Sequence, residues 1–384
     1  MSDIIVIGAG MAGVSVAYEL AKTHDVHLLE AENHLGVHAT GRSAAAFIES
    51  YGYQNLSLLT LSTQSFDFLQ NPSSDFSEES FLKQRGLLTI ADESNQIQLH
   101  QEFQALSARF PQTKWLDRPA LLDQYPALKD EYTSGAIFEP NVHDIDVHRL
   151  QQCYLKGFKS RGGICTTGSA VTAIDKTSEG WSVTTAKGVF TARLVVNAAG
   201  AWADEIALLA GTQPVGLVPH RRTAILVESP EQADQWPVFL DFGAGFYFKP
   251  DAGLLLVSPG DETPDVPRDA QPEELDIAQA AYHLEQALCT SVTHIRHSWA
   301  GLRTFAPDRT PVIGFDAHAP DFFWYAGQGG HGIQTAPAGA RMAAGLITGN
   351  PARYGSENLD EVSKLCSPVR FGCHSNIERM AVHA

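Results

Sequence analysis

The sequence predicts an α/β fold in which a parallel-stranded unit is assembled from separated stretches of chain and an α+β region on a mostly antiparallel sheet is inserted between them. Three observations predict it. An apolar strand, Ile4–Ile7, runs through a glycine turn into a helix, and two later turns of small residues, at 197–202 and 326–335, repeat that strand-to-helix logic. Between those later turns, from Arg221 to Val257, segments such as Thr223–Val227, Phe246–Phe248 and Leu254–Val257 alternate in the manner of strands with glycine-rich joins.

The first turn carries Gly8, Gly10 and Gly13 at GxGxxG spacing: one glycine for the turn, one for close backbone approach to a pyrophosphate, one for helix-to-strand packing. Met11 and Ala12 lie inside it and open a helix whose N-terminus faces phosphate. Val14, Ala17, Tyr18 and Ala21 recur on one face of that helix, and a second strand, Val26–Leu29, ends on Glu30 with Ala31 beyond it, completing a Rossmann-type βαβ unit. Glu30 is placed to accept hydrogen bonds from ribose hydroxyls. A carboxylate there disfavours a 2′-phosphate, which argues against NADP and favours NAD or FAD.

The following elements are read with less regular punctuation. Helices are expected over Leu56–Phe68, Ser94–Phe110, Leu150–Phe158 and Glu273–Leu288, and strands over Gly86–Ile90, Ala170–Ile174, Trp181–Thr185 and Leu194–Val196. Asp144 and Asp146 are expected to cap the helix that begins near Leu150. No internal repeat is present.

A chain of 384 residues predicts two or three structural units. Its net charge of −17 repels phosphate backbones, so no nucleic-acid partner is expected. Five scattered cysteines, Cys153, Cys165, Cys289, Cys366 and Cys373, lack CxxC spacing and indicate neither a disulfide framework nor a zinc site, and the histidines form no ligand cluster, so no metal is expected. No signal-peptide pattern or membrane-length apolar run is read. The expected location is the cytoplasm, with contact to the inner membrane only through an electron acceptor.

After the second strand the chain reads Ala39-Thr40-Gly41-Arg42-Ser43-Ala44-Ala45, a loop of backbone donors, hydroxyls and a guanidinium suited to a diphosphate. Later come Asn197-Ala198-Ala199-Gly200-Ala201-Trp202, then Trp299-Ala300-Gly301-Leu302-Arg303, Thr310–Gly314, and Gly327-Gln328-Gly329-Gly330-His331-Gly332-Ile333-Gln334-Thr335. On these ordered blocks, over nearly the whole chain, the sequence resembles the D-amino acid oxidase and dehydrogenase family of flavoproteins, and within it the bacterial D-arginine dehydrogenases. The resemblance implies FAD rather than NAD. It also implies a Rossmann-type FAD-binding domain from residues 1–50, 145–218 and 305–367 and an inserted substrate domain from 51–144 and 219–304. The sequence pattern itself weakens from Pro351, and a disordered tail is expected over 368–384.

The same resemblance assigns roles. FAD would be held by the first turn, Glu30, Ala31, the 40–45 loop, Val171, Asn197 to Gly200, Trp202, Gly301, Arg303 and the 329–335 turn. Arg303 matches the arginine that binds a substrate carboxylate, Arg222 a second arginine near it, and Tyr247 and Tyr51 tyrosines bordering the substrate. His331 is placed to reach substrate or flavin, whereas Arg221 and Lys249 are read as structural. The implied reaction is oxidative deamination of a D-amino acid to a 2-oxo acid and ammonia, with oxygen, a quinone or a protein as the unidentified electron acceptor.

Three departures from the relatives refine this. Leu87 stands where D-arginine dehydrogenases have a glutamate and Ala46 where they have a histidine, which favours neutral or hydrophobic side chains, with Glu49 as an alternative anion for cationic ones. The strand Gly253–Val257 has no lysine of the kind that promotes reaction with oxygen, which favours a dehydrogenase. The stretch Trp299–Gly314 has no cysteine, so the FAD is expected to be non-covalent. Alternatives within the fold are glycine, sarcosine, an opine or a 2-hydroxy acid as donor. Outside it stands a flavin-binding partner subunit without turnover of its own.

Overall fold

A computed structural model describes residues 1–231, 233–350 and 358–372. The first strand extends over Ser2–Ile7 and lies at the centre of an eight-stranded sheet, parallel to Val26–Leu29 on one side and to Gly188–Asn197 on the other. Residues Ile4–Ile7 are buried, as a strand covered on both faces requires. Strand Gly188–Asn197 changes partner along its length: its first half pairs antiparallel with Gly180–Thr185, and its last residues run parallel to Phe322–Ala326. This brings the ends of three strands, and the turns that follow them, to one edge of the sheet, where open α/β sheets bind ligands.

Helices Met11–Leu20, Val147–Ser160 and Ala336–Thr348 cover one face, with Val14, Ala17, Leu150, Tyr154 and Met342 in a common core. The other face packs Ala203–Leu209 and the indoles of Trp181 and Trp324.

A second sheet of nine strands is antiparallel throughout, except where Val238–Asp241 runs parallel to Leu87–Ala91. Its longest pair, Val218–Glu228 with Ile295–Phe305, sets Arg222 opposite Gly301 and His220 opposite Arg303. Helix Glu274–Ala287 seals one face over Phe239, Phe246, Phe248 and Val257, which leaves the opposite face for a ligand. Three short strands, Ala46–Phe47, His143–Ile145 and Leu82–Gln84, form a third sheet.

The helix expected at 56–68 runs over Leu56–Gln70, started by Asn55, whose side chain accepts the N–H groups of Ser57 and Leu58 at 3.0 and 3.2 Å. The helix expected at 150–158 begins earlier, at Val147. Of the two carboxylates expected to cap it, Asp146 does so at the Arg149 N–H, 3.0 Å, while Asp144 joins Arg85 and Lys249 at 2.6 and 2.8 Å. Lys249 is therefore paired within the protein, as its strand-end position suggested. The expected tail begins on ordered residues: Pro368–Phe371 is a 3₁₀ turn, and Arg370 Nε donates to Asp308 at 2.8 Å. The remainder of that tail, from 373, lies outside the described residues. Among the described residues no helix is long and apolar enough to cross a membrane.

Candidate active site

The glycine turn is fixed by contacts no side chain tolerates. Gly8 has φ +97°, and a Cβ there would lie 2.6 Å from the carbonyl oxygen of Ala198; a Cβ on Gly13 would lie 1.7 Å from the carbonyl oxygen of Gly8. The helix beyond it starts at Gly10, which offers no capping side chain, so its N-terminus opens toward the cavity below; Thr40 Oγ1 accepts the Met11 N–H at 2.9 Å. Glu30 is oriented from behind: Oε2 accepts the Ala9 N–H at 2.7 Å and Oε1 the Glu32 N–H at 2.9 Å. The carboxylate thereby ties the second strand to the turn while still lining the cavity.

That cavity, of about 430 Å³, is continuous from this turn to the second sheet. It is within the range of small-molecule and cofactor sites. Of the residues expected to bind cofactor, Gly8, Gly10, Met11, Ala12, Glu30, Ala31, Thr40, Arg42, Ser43, Ala44, Val171, Ala198, Ala199, Gly200, Trp202, Gly301, Arg303, Gly329, Gly330, Gly332 and Ile333 line it.

The others stand behind the wall. Gly13 and Gly41 shape turns, Gly41 N–H donating to the Gly36 carbonyl at 2.7 Å, and Ala45 packs into the helical core. Asn197 is fully buried, donates to the Ala203 carbonyl at 2.7 Å and accepts the Ala199 N–H, so it braces the second turn rather than reaching a ligand. Gln334 grips Ile48 through both its N–H and its carbonyl, at 3.1 and 3.2 Å, and Thr335 hydroxyl donates to the His331 carbonyl.

Arg42 departs most from expectation. Its guanidinium donates to the carbonyls of Val37, Ala270 and Ala300, at 3.0, 2.8 and 2.9 Å, and pairs with Asp269; its own carbonyl accepts the Trp299 indole N–H at 3.0 Å. A side chain expected to meet a diphosphate ties the first sheet's loop to the second sheet while lining the cavity beside Thr40 and Ser43.

At the far end Arg222, Tyr247, Gly301 and Arg303 converge on the cavity. Strand alternation explains which arginine of the 221–222 pair faces inward. Arg221 points to the other face and is buried among Asp261, Asp265, Glu273 and Asp276. Arg222 lines the cavity, with Nε on the Asp261 carbonyl at 2.6 Å and Nη2 on Glu262 at 3.2 Å. Arg303 differs from both: among the described residues no carboxylate pairs with its guanidinium, which makes no hydrogen bond to the protein. Burial works against its charge, but Tyr247, Tyr51 and the more distant Glu262 and Asp261 keep it firmly protonated. Tyr247 responds in turn: burial pushes its phenol up, yet the guanidinium groups of Arg303 and Arg222, with hydrogen bonds to Ser258 and Arg222, bring it below the ordinary tyrosine value.

Tyr51 and His331 do not line this cavity. They stack on each other behind Gly330, ring centroids 4.3 Å apart and 15° from parallel. A Cβ on Gly330 would lie 3.1 Å from Tyr51 Oη and 3.3 Å from Arg303 Nη1, so the glycine keeps open the spot on which the two converge. Leu87 and Ala46 also sit off the cavity wall, in an apolar cluster with Ile48, Val142, Val238 and Leu240, and Glu49 faces a separate cavity beside Glu139 while accepting from Thr63 at 3.1 Å. Sequence reasoning missed Arg268 and Ala270, from the segment before helix Glu274–Ala287, along with Ala224, Thr304 and Gln328. Ala224 was accessible in principle, two residues along the strand from Arg222. Nothing local marks Arg268.

An open helix N-terminus beside glycines that admit close approach, a carboxylate at the end of the second strand and a long cavity ending on cationic side chains together fit an adenine dinucleotide carrying a redox head group. The family model described as FAD dependent oxidoreductase matches residues 3–346. The chain belongs to the FAD-dependent oxidoreductase (DAO) family. A glycine oxidase of Geobacillus kaustophilus is 25% identical over 361 residues, covering 90% of this chain and 92% of that one. The human mitochondrial dimethylglycine dehydrogenase is 24% identical over 375 residues, 91% of this chain, which spans only 43% of that longer protein. A crystal structure of L-proline dehydrogenase from P. horikoshii superposes with a TM-score of 0.79 at 23% identity, over 96% of this chain and 97% of that one, and shares the fold of this DAO-family chain.

Proposed function

We propose that this DAO-family enzyme oxidises a small amino acid or N-alkyl amino acid whose carboxylate is held by Arg303. The observation that carries the proposal is the state of that arginine: a guanidinium on the cavity wall, fixed in its charged form, with no protein carboxylate paired to it. A sequestered charge without a partner is costly unless a ligand supplies one, and the planar fork accepts a carboxylate in two parallel hydrogen bonds. Arg222 adds positive charge nearby but shares it with Glu262.

When bound, FAD supplies the two-electron acceptor that takes hydride from the donor's α-carbon. The protein's share is positional. Arg303 anchors the carboxylate, Tyr247 adds a hydroxyl held between two cations, and the turn at 327–332 brings Gly329, Gly330 and Gly332 to the wall with no side chain in the cofactor's way. The oxidised product is an imine, and water hydrolyses it to an oxo acid, or to an aldehyde acid for a glycine donor, releasing the amine.

Donor identity rests on two supports. Glycine and dimethylglycine appear in the names of the relatives, which favours donors with little or no side chain. Among the described residues the Arg303 end of the cavity, lined by Arg222, Tyr247, Gly301, Leu302 and Thr304, offers no carboxylate for a distal guanidinium, which favours neutral D-amino acids over D-arginine, and the earlier likeness to D-arginine dehydrogenases is carried here only as shared architecture. FAD is proposed to be non-covalent. The stretch Gly253–Val257 carries no lysine of the kind that promotes reaction with oxygen, which supports a dehydrogenase over an oxidase.

The test is anaerobic bleaching of the purified flavin by glycine, sarcosine, dimethylglycine, D- and L-alanine, D- and L-leucine, D-arginine and lactate. Reduction by neutral amino donors is expected, with D-arginine and lactate trailing. Bleaching by lactate alone, or by none of them, would overturn the proposal.

A further inference from the structure

His331 is buried, carries an Nε2 with no hydrogen-bond partner, and lies behind the cavity wall rather than on it, so it is poorly placed to touch a substrate. Its backbone is nevertheless fastened at both ends. Its N–H donates to the Gln328 carbonyl at 3.0 Å, and its carbonyl accepts both the N–H and the hydroxyl of Thr335, at 3.0 and 2.9 Å. The ring therefore has a fixed position, and what it presents its face to is the phenol of Tyr51.

Tyr51 is held only by its own turn, its N–H donating to the Ile48 carbonyl at 3.2 Å. It belongs to the segment joining strand Ala46–Phe47 to helix Leu56–Gln70, it is 40% exposed, and its side chain makes no hydrogen bond. Two contacts from the 327–335 turn reach that segment. Gln334 takes Ile48 by its backbone, and three residues away on each chain His331 takes Tyr51 by its ring. Gly52, at φ +76°, makes the second contact possible, since a Cβ there would stand 2.8 Å from His331 Nε2.

We infer that His331 is a positioning residue: its imidazole stacks on Tyr51 and holds that phenol beside Arg303 behind Gly330, so that the glycine turn at 327–332 steadies the carboxylate anchor as well as lining the cavity. The imidazole suits this task because it is uncharged. Burial, with the positive charge of Arg303 and Arg309 and against the Tyr51 backbone, drives its pKa down to about 4, so it adds no repulsion to the carboxylate anchor or its neighbours near neutral pH.

The inference rests on Arg303 as the anchor, and its test is split so that the two fail separately. Hydrogen exchange of the FAD-loaded enzyme needs no substrate. In His331→Ala the amides of residues 48–55 are expected to exchange faster, and in His331→Phe, which keeps a ring, at the native rate. With whichever donor bleaches the flavin, His331→Ala should raise KM by up to about tenfold with kcat little changed, the scale of one aromatic contact. The double variant H331A/Y51A should be no worse than Y51A, because a residue acting through Tyr51 has nothing left to position. Unchanged exchange at 48–55 in His331→Ala, or full additivity of the two substitutions, overturns the inference. If His331→Ala does not retain flavin, His331→Leu against His331→Phe makes the same comparison of an aliphatic with an aromatic side chain. A donor panel that fails altogether counts against the proposed function and leaves the exchange result standing.

Discussion

The two ends of the cavity are built on opposite plans. At the Gly8–Gly13 end, backbone does most of the work: glycines whose missing side chains admit the Ala198 and Gly8 carbonyls, a helix start whose N-cap residue has no side chain, and a carboxylate held by two N–H groups. At the Arg303 end, side chains do it, and they come from strands Val218–Glu228, Tyr247–Asp251 and Ile295–Phe305, with the 327–335 turn closing behind them. A backbone site fails as a whole when one position is wrong. A side-chain site fails by degrees, according to which group is lost.

The largest effect is therefore expected at the first end. Gly13→Val should give a protein that does not retain FAD, because the added Cβ meets the Gly8 carbonyl, a backbone atom of the turn that cannot swing aside. The flavin-to-protein absorbance ratio after gel filtration measures this. A yellow Gly13→Val protein with native stoichiometry would contradict the account of the turn.

At the other end, Arg303→Lys should leave flavin content unchanged and lower kcat/KM by about 10²-fold or more, as expected when a bidentate charge-assisted contact worth roughly 3 kcal/mol is reduced to a point charge. Equal loss of flavin in this variant would show that Arg303 belongs to the cofactor site as much as to the substrate site, and the contrast between the ends would weaken.

The same contrast governs what the sequence revealed. The turn at 8–13 is local, so its three glycines, the strand before them and Glu30 after them are readable within thirty residues, and each has the predicted place. Arg303 and Tyr247 were readable from family likeness, and the antiparallel pairing that aims them is of the alternating kind that period-two patterns indicate. The tie made by Arg42 was not readable because its local setting, a polar loop near a glycine turn, carries no sign of Ala270 and Ala300, more than two hundred residues away, which supply the carbonyls it binds. The stacking of His331 was hidden for a similar reason. Its stacking partner, Tyr51, comes from a distant segment, and spacing along the chain says nothing about a ring-to-ring contact.

A smaller effect separates the ends by pH. His331 folds with its pKa lowered from 6.5 to about 4. Between those values the unfolded chain binds the proton and the folded one does not, so its contribution to stability is complete above about pH 6.5 and is lost as pH falls toward 4. The size is about 3 kcal/mol at most, at roughly 1.4 kcal/mol per unit. Carboxylates titrate in the same window, which makes the informative quantity a difference: the stability of His331→Phe minus that of the native protein should rise as pH is lowered from 7 to 4. A flat difference would mean that the imidazole is free to take a proton in the folded state.

The smallest effect is expected where the two sheets are tied together. Arg42 reaches Asp269, whose side chain is 62% exposed, while its remaining partners are carbonyl groups of the backbone. An exposed carboxylate adds little to a guanidinium that already has three other acceptors, so Asp269→Ala should cost about 0–1 kcal/mol and shift Tm by no more than a few degrees. Arg42→Ala removes all of those contacts at once and leaves the Ala270 and Ala300 carbonyls without their donor, so it should cost several times more while preserving the Gly8–Gly13 turn. Measured by thermal unfolding of the FAD-loaded enzyme, a large loss in Asp269→Ala would place the tie in the ion pair. A small one, with a large loss in Arg42→Ala, would place it in the backbone carbonyls, and would extend the backbone plan of the first end across the junction between the sheets.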